Sequence, residues 1–114
     1  MRPQSAKSKG RRLQQDVAKK LRETMGLHED DIVSRPMGSP GEDLMLSPAA
    51  RSLIPFSFEC KNVEKLNIWE AIGQARDNCR GHTPAVAFTK NREDVYIAMP
   101  IDKFLEMLCK INGK

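Results

Sequence analysis

The hexapeptide Phe56-Ser57-Phe58-Glu59-Cys60-Lys61 alternates apolar and polar residues, the period-two pattern of a strand with one face buried. Successive strand side chains point to opposite faces, so Phe56, Phe58 and Cys60 face a core while Ser57, Glu59 and Lys61 share the other side. Such a strand needs other elements to cover its aromatic face, and the flanking sequence supplies them. From Lys9 to Met25 the residues Leu13, Val17, Leu21 and Met25 recur every fourth position, an amphipathic helix closed by Gly26. Its opposite face presents Arg11, Arg12, Lys19 and Arg22. Asp31–Arg35 and Glu42–Leu46 read as short strands on either side of the turn-rich Met37-Gly38-Ser39-Pro40-Gly41, followed by a loose segment from Ser47 to Arg51. Leu53–Lys61 is the third strand.

Beyond it, Asn67–Cys79 reads as a helix in which Asn67 caps the start with Glu70 three residues on. Ile68, Ala71, Ile72 and Ala75 form its buried side, and Gly81 ends it. Ala85–Thr89 and Val95–Met99 are apolar strands joined by the turn Asn91-Arg92-Glu93-Asp94, a hairpin signature. Asp102–Ile111 closes the chain as a helix with Phe104, Leu105, Leu108 and Ile111 expected inward. The order αβββαββα implies an α/β fold with a mixed sheet of about five strands flanked by helices. The 114 residues suit one domain over 9–114, preceded by a flexible basic arm over 1–8.

Charge narrows the function. Residues 1–22 carry eight Lys and Arg against Asp16 alone, a net of +7, while the rest carries eleven basic and fourteen acidic residues, a net of −3. A basic block beside a mildly acidic body suits a polyanion met through one end. Lys7, Lys9, Arg11, Arg12, Lys19 and Arg35 are the candidate nucleic-acid-binding residues. With 5% aromatics the chain is poor in stacking platforms for single strands, so a nucleic acid met through its phosphates is the expected partner. No apolar run approaches the ~20 residues of a membrane span, and the N-terminus lacks the apolar core of a secretory signal. A cytoplasmic protein is expected. Cys60, Cys79 and Cys109 have no metal-ligand spacing and are expected reduced and mostly buried; His28 and His82 are expected on the surface or in loops.

The shared face of the third strand carries the chemistry. An exposed Glu59–Lys61 pair would stabilise by only roughly 0–1 kcal/mol, so a surface salt bridge explains little of its placement. Glu42 and Asp43 open the strand before it, directly after the Gly/Pro loop. If the two strands lie side by side, Asp43 and Glu59 converge with Lys61 next to them. Close carboxylates repel unless a positive charge sits between them. Mg²⁺ fits, with Mn²⁺ able to substitute, because both take oxygen ligands. With a phosphodiester present, the cation polarises the phosphoryl group and Lys61 neutralises developing charge or orients the attacking water. A Mg²⁺-dependent hydrolysis of a nucleic-acid backbone follows as the reaction class.

Asp43, a spacer, then Glu59-Cys60-Lys61 resembles the PD-(D/E)xK nuclease signature, and the order of elements resembles the restriction-endonuclease-like core. The opening Lys9-Gly10-Arg11-Arg12-Leu13-Gln14 is similar to the start of archaeal-type Holliday-junction resolvases and related small phage nucleases, the likeness covering residues 9–90. The resemblance implies Asp43 and Glu59 as metal ligands, the main-chain carbonyl of Cys60 as a further ligand, Lys61 as the catalytic lysine and Gln74 as a catalytic-site glutamine. It also implies an endonuclease acting on duplex or branched DNA in a bacterial or phage-infected cell, and two symmetric cuts at a junction lead to the expectation of a homodimer. Glu42 stands where the family's Pro precedes the Asp, which leaves Glu42 as an alternative ligand. Gln14 stands where resolvases carry a Glu in the first helix, with Asp16 and Glu23 as substitutes. A nicking or homing endonuclease of the same fold, and a non-catalytic DNA-binding module, are the competing readings.

Overall fold

Ser5 starts the first helix by accepting a hydrogen bond on Oγ from the Ser8 amide at 3.2 Å. The computed structural model describes residues 5–114. Helix α1 (Ala6–Met25) ends at Gly26, whose φ of 65° sets the left-handed cap that favours glycine. Residues 1–4 of the expected arm lie outside the described residues, and Ala6–Ser8 already belong to α1. Leu13, Val17 and Ala18 bury the inner stripe, as the fourfold spacing requires. Arg22 is not among the outward cations: its guanidinium donates to the Ile32 carbonyl at 2.7 Å and ties α1 to the next element.

Strands β1 (Ile32–Ser34) and β2 (Leu44–Leu46) pair antiparallel, with Val33 opposite Met45. The segment after them is not loose. Ser47 Oγ accepts from the Ala50 amide at 3.1 Å and Pro48 takes the first helical position, producing a short helix α2 (Pro48–Leu53). The third strand therefore begins later than the hydropathy suggests: β3 is Phe56–Asn62. Helix α3 (Ile68–Asp77) carries the chain to β4 (Thr83–Thr89), which lies parallel to β3 with Glu59 opposite Val86. A parallel pair needs such a crossover. Strand β5 (Tyr96–Ala98) returns antiparallel to β4 as a hairpin, and α4 (Ile101–Ile111) follows.

The α/β class holds, with two corrections. The order is αββαβαββα, and the five strands fall into an antiparallel pair β1-β2 and a mixed sheet β3-β4-β5 instead of one ladder. The reason lies at Asp43. Its amide donates to the Phe58 carbonyl at 2.9 Å, but its side chain takes the place of the next ladder bond. A main core lies between α1 and the sheets, built from Leu13, Val17, Ile32, Leu44, Phe58, Cys60, Ala85 and Ala87. A smaller one of Ala71, Ala75 and Val86 lies under α3. Ala85, Val86 and Ala87 alternate between these two cores with the strand's period of two. Phe58 links both sheets to α1, and Phe58→Ala would cost about 3–5 kcal/mol.

Helix α4 departs from expectation. Phe104, Leu105, Leu108 and Ile111 form the anticipated stripe, yet the helix buries none of its residues and Ile111 is 77% exposed. Of the three thiols Cys60 alone is buried; Cys79 is half-buried and Cys109 exposed, all free.

Candidate active site at the seam between the sheets

Asp43 occupies the seam because the loop from Pro36 to Glu42 turns back on Arg35. Gly41 has a φ of 121°, and a Cβ there would meet the Arg35 guanidinium at 2.8 Å. With that space open, Arg35 Nε donates to the Glu42 carbonyl, while its amide donates to the Asp43 carbonyl at 2.8 Å. Asp43 is thus pinned from both sides, and its Oδ2 accepts the Cys60 amide at 2.7 Å. Phe58 and Cys60 turn their backbone groups toward Asp43, so this acid flanks Glu59 across the strand edge. The Cys60 carbonyl points to the same edge as its amide, as strand geometry requires.

Glu59 lies on the other face of β3, toward α3. Ser57, two residues earlier on that face, donates to the Asn78 carbonyl at the end of α3, at 3.4 Å. Glu59 is 7% exposed, and its Oε2 is buried without a hydrogen-bond partner among the described residues. Its pKa is pushed up to about 7, first by burial, then by the Asp43 carboxylate beside it; Lys61 and Asn78 pull the other way. Burial and the same two carboxylates push the Cys60 thiol up as well, so it is a neutral core group and not a nucleophile. An orphaned buried carboxylate oxygen next to a second carboxylate is costly in isolation.

A hard divalent cation would satisfy both groups at once. Among the described residues no group of three or more His, Cys, Asp or Glu side chains could hold a metal. The donor set here is two carboxylates and a main-chain carbonyl, which suits Mg²⁺ because that ion keeps several waters. The residues present fit the group.

Lys61 and Gln74 line one pocket together with Glu70 and Asn67, and neither Asp43 nor Glu59 lines it. Gln74 therefore faces the same space as the lysine. Glu42, the alternative ligand, points elsewhere: it forms an ion pair with Arg51 of α2. The short helix that the hydropathy pattern hides supplies that arginine, which engages Glu42 and not Asp43. Gln14 is buried in the core and accepts from Ser34 Oγ at 2.7 Å, a structural bond. Asp16 and Glu23 are exposed on the outer side of α1, Glu23 facing Lys19 at 4.0 Å, and neither replaces it.

The basic residues divide. Arg11 and Arg35 line one open cleft with Gln15 and Ser34. Lys9 leans to the opposite flank of α1, donating to Asn91 Oδ1 at 2.9 Å in the β4–β5 turn. Lys7, Arg12 and Lys19 are exposed on α1. Asn78, which contacts Glu59, and Arg51, which clamps Glu42, escaped sequence reasoning. The Ser47-Pro48 helix start was the one signal that could have located Arg51.

A mixed sheet between helices, with an acid just before β2 and Glu-x-Lys on β3, is an α/β arrangement consistent with a PD-(D/E)xK-like core. The family described as "Phage putative PDDEXK endonuclease" matches residues 5–114, and the chain belongs to that family. Comparison with curated proteins and with solved structures gives no match. No described helix is long and apolar enough to cross a membrane.

Proposed function

We propose that this protein is a Mg²⁺-dependent DNA endonuclease, with Mn²⁺ able to substitute, that hydrolyses phosphodiester bonds in branched DNA as a homodimer. The observation that carries the reading is the partnerless buried Oε2 of Glu59 beside Asp43, with Lys61 next on the same face. Asp43, Glu59 and the Cys60 carbonyl would hold the cation, which when bound supplies Lewis acidity to the phosphoryl group and acidifies water. Lys61 places its ammonium beside the reacting phosphate, where it offsets developing charge and orients the attacking water. Gln74 donates or accepts a hydrogen bond in the same pocket and helps align that water. Asn78 holds the Glu59 carboxylate in place.

Recognition of shape suits this chain: its cations reach phosphates, and its few aromatics offer little base stacking. The resemblance of residues 9–14 to resolvases supports branched DNA as substrate. Cutting both strands needs two sites, and one copy carries one carboxylate pair. The second copy has a surface to meet. An isolated helix of 11 residues is not stable in water, and the apolar stripe of α4 is uncovered. Exposed Tyr96 and Ile97 on the edge strand β5 extend the apolar surface, and a twofold contact of α4 with α4 would close it.

The test is to incubate the purified chain with labelled four-way junction, matched linear duplex and single-stranded DNA, with and without Mg²⁺. Cleavage of the junction only when Mg²⁺ is present is expected. Preferential cutting of the linear duplex would move the reading to a nicking or homing enzyme. Binding without any product would leave a DNA-binding module.

A further inference from the structure

The turn between α3 and β4 holds a residue in an expensive conformation. Arg80 has a φ of 47°, and Gly81 follows at 84°. Two successive left-handed residues reverse the chain sharply. Glycine accepts that at no cost, but at Arg80 it costs roughly 1–2 kcal/mol. Nothing in the packing demands an arginine: the side chain is exposed and has no hydrogen bond or ion pair among the described residues. Strain kept at a position where glycine would be easier points to a use for the side chain.

What Arg80 lines supplies the use. With His82, Asn78, Arg35, Arg51 and Glu42 it surrounds a pocket of about 210 Å³. The one acid there, Glu42, is already neutralised by Arg51. Arg35 and Arg80 leave two positive charges, with the His82 imidazole beside them. Asn78 belongs to this pocket, and its carbonyl accepts from Ser57 Oγ, two residues before Glu59 on the same face of β3, so the cationic pocket lies beside the strand that carries Glu59. Lys61 and Gln74 line a separate pocket further along α3. Arg35 continues the positive lining into the cleft that contains Arg11. A strand whose scissile phosphate lies at Asp43 and Glu59 therefore meets guanidinium groups immediately to one side.

We infer that the pocket formed by Arg35, Arg80 and His82 seats a backbone phosphate of the DNA next to the one that is cut, fixing the strand's register in the site. Guanidinium forks match phosphate oxygens in geometry as well as charge. This rests on the nuclease reading for the identity of the neighbouring phosphate, while the binding itself does not depend on catalysis.

The experiment measures affinity for a labelled four-way junction and a linear duplex in EDTA, over a series of salt concentrations, for wild type, Arg80→Gly, Arg80→Lys, His82→Ala and Arg92→Gly. Arg92 is the control, since it too has a positive φ (66°) and loses the same charge, but in the β4–β5 turn. Arg80→Gly should weaken binding by about threefold to tenfold and lower the salt slope by about one phosphate contact. Its melting temperature should be unchanged or raised, because glycine relieves the strain. Arg80→Lys should keep the salt slope and lose part of the affinity, and Arg92→Gly should change binding less than Arg80→Gly. Wild-type affinity and slope in Arg80→Gly, or an equal loss in Arg92→Gly, would overturn the inference. A wild-type protein that binds but never cuts with Mg²⁺ would instead defeat the nuclease reading and leave this readout intact.

Discussion

The seam at Asp43 and the outer face of α4 are both places where folding leaves surfaces unsatisfied, but in opposite chemical terms. At the seam the unsatisfied group is polar and buried: Glu59 Oε2 has no partner and a second carboxylate presses on it. On α4 the unsatisfied surface is apolar and exposed: Phe104, Leu105, Leu108 and Ile111 face water. Hydration is withheld from the first and forced on the second. On the proposed reading the buried oxygen is met by a cation and the uncovered stripe by another surface.

The sharpest way to break the comparison is to remove the polar groups one at a time. Asp43→Asn, Glu59→Gln and Lys61→Ala should each lower cleavage by ~10³-fold or more while junction binding in EDTA stays near wild type. Gel assays of product and of complex measure the two separately. Retained cutting by all three variants would remove the seam from the chemistry.

The apolar side breaks by charge. Leu105→Glu with Leu108→Glu should convert a species of twice 12.9 kDa into one of 12.9 kDa in sedimentation. The circular dichroism of the body should persist, because α4 contributes no buried residue. The product should shift from paired cuts to single nicks. A wild type that sediments as a monomer at micromolar concentration would refute the second copy as the partner of α4.

Without metal, the seam should also leave a mark on stability. The folded pKa of Glu59 is raised from 4.5 to about 7, so the folded state binds more protons than the unfolded one between those values. Stability should therefore rise as pH falls from 8 to 5, by on the order of 2 kcal/mol. Urea titrations in EDTA measure this, and Glu59→Gln should flatten the dependence. Smaller effects belong to supporting residues. Gln74→Ala should slow cleavage by about tenfold with little change in binding. Ser47→Ala should cost about 1 kcal/mol by uncapping α2, and it should loosen the Arg51 clamp on Glu42.

Local signals in the sequence were faithful where local physics decides the outcome. Asn67 does cap α3, its Oδ1 accepting the Glu70 amide at 3.1 Å, Gly26 does end α1, and the Phe56–Lys61 alternation does turn Phe56, Phe58 and Cys60 to the main core. Ser47-Pro48 was legible as a helix start too, but a short helix has too little periodicity to outweigh its loop-like composition. Other features depend on distant partners. Which of Glu42 and Asp43 is held in an ion pair turns on where Arg51 lands. Gln14 reads as a replaced ligand in the sequence alone, whereas in the fold its Oε1 accepts from Ser34 Oγ, a residue twenty positions away. The stripe on α4 shows that a face needs covering, but periodicity carries no information about which chain covers it.

The most direct test is calorimetric titration of Mn²⁺ and Mg²⁺ into wild type, Asp43→Asn and Glu59→Gln, at pH 6.5 and pH 8 in buffers of different ionisation enthalpy. At least one cation should bind per chain, more tightly at pH 8, and at pH 6.5 with proton release into the buffer as Glu59 gives up its proton. Both variants should lose that binding. A folded wild type that takes up no divalent ion, or variants that bind it equally well, would contradict a carboxylate site at the seam.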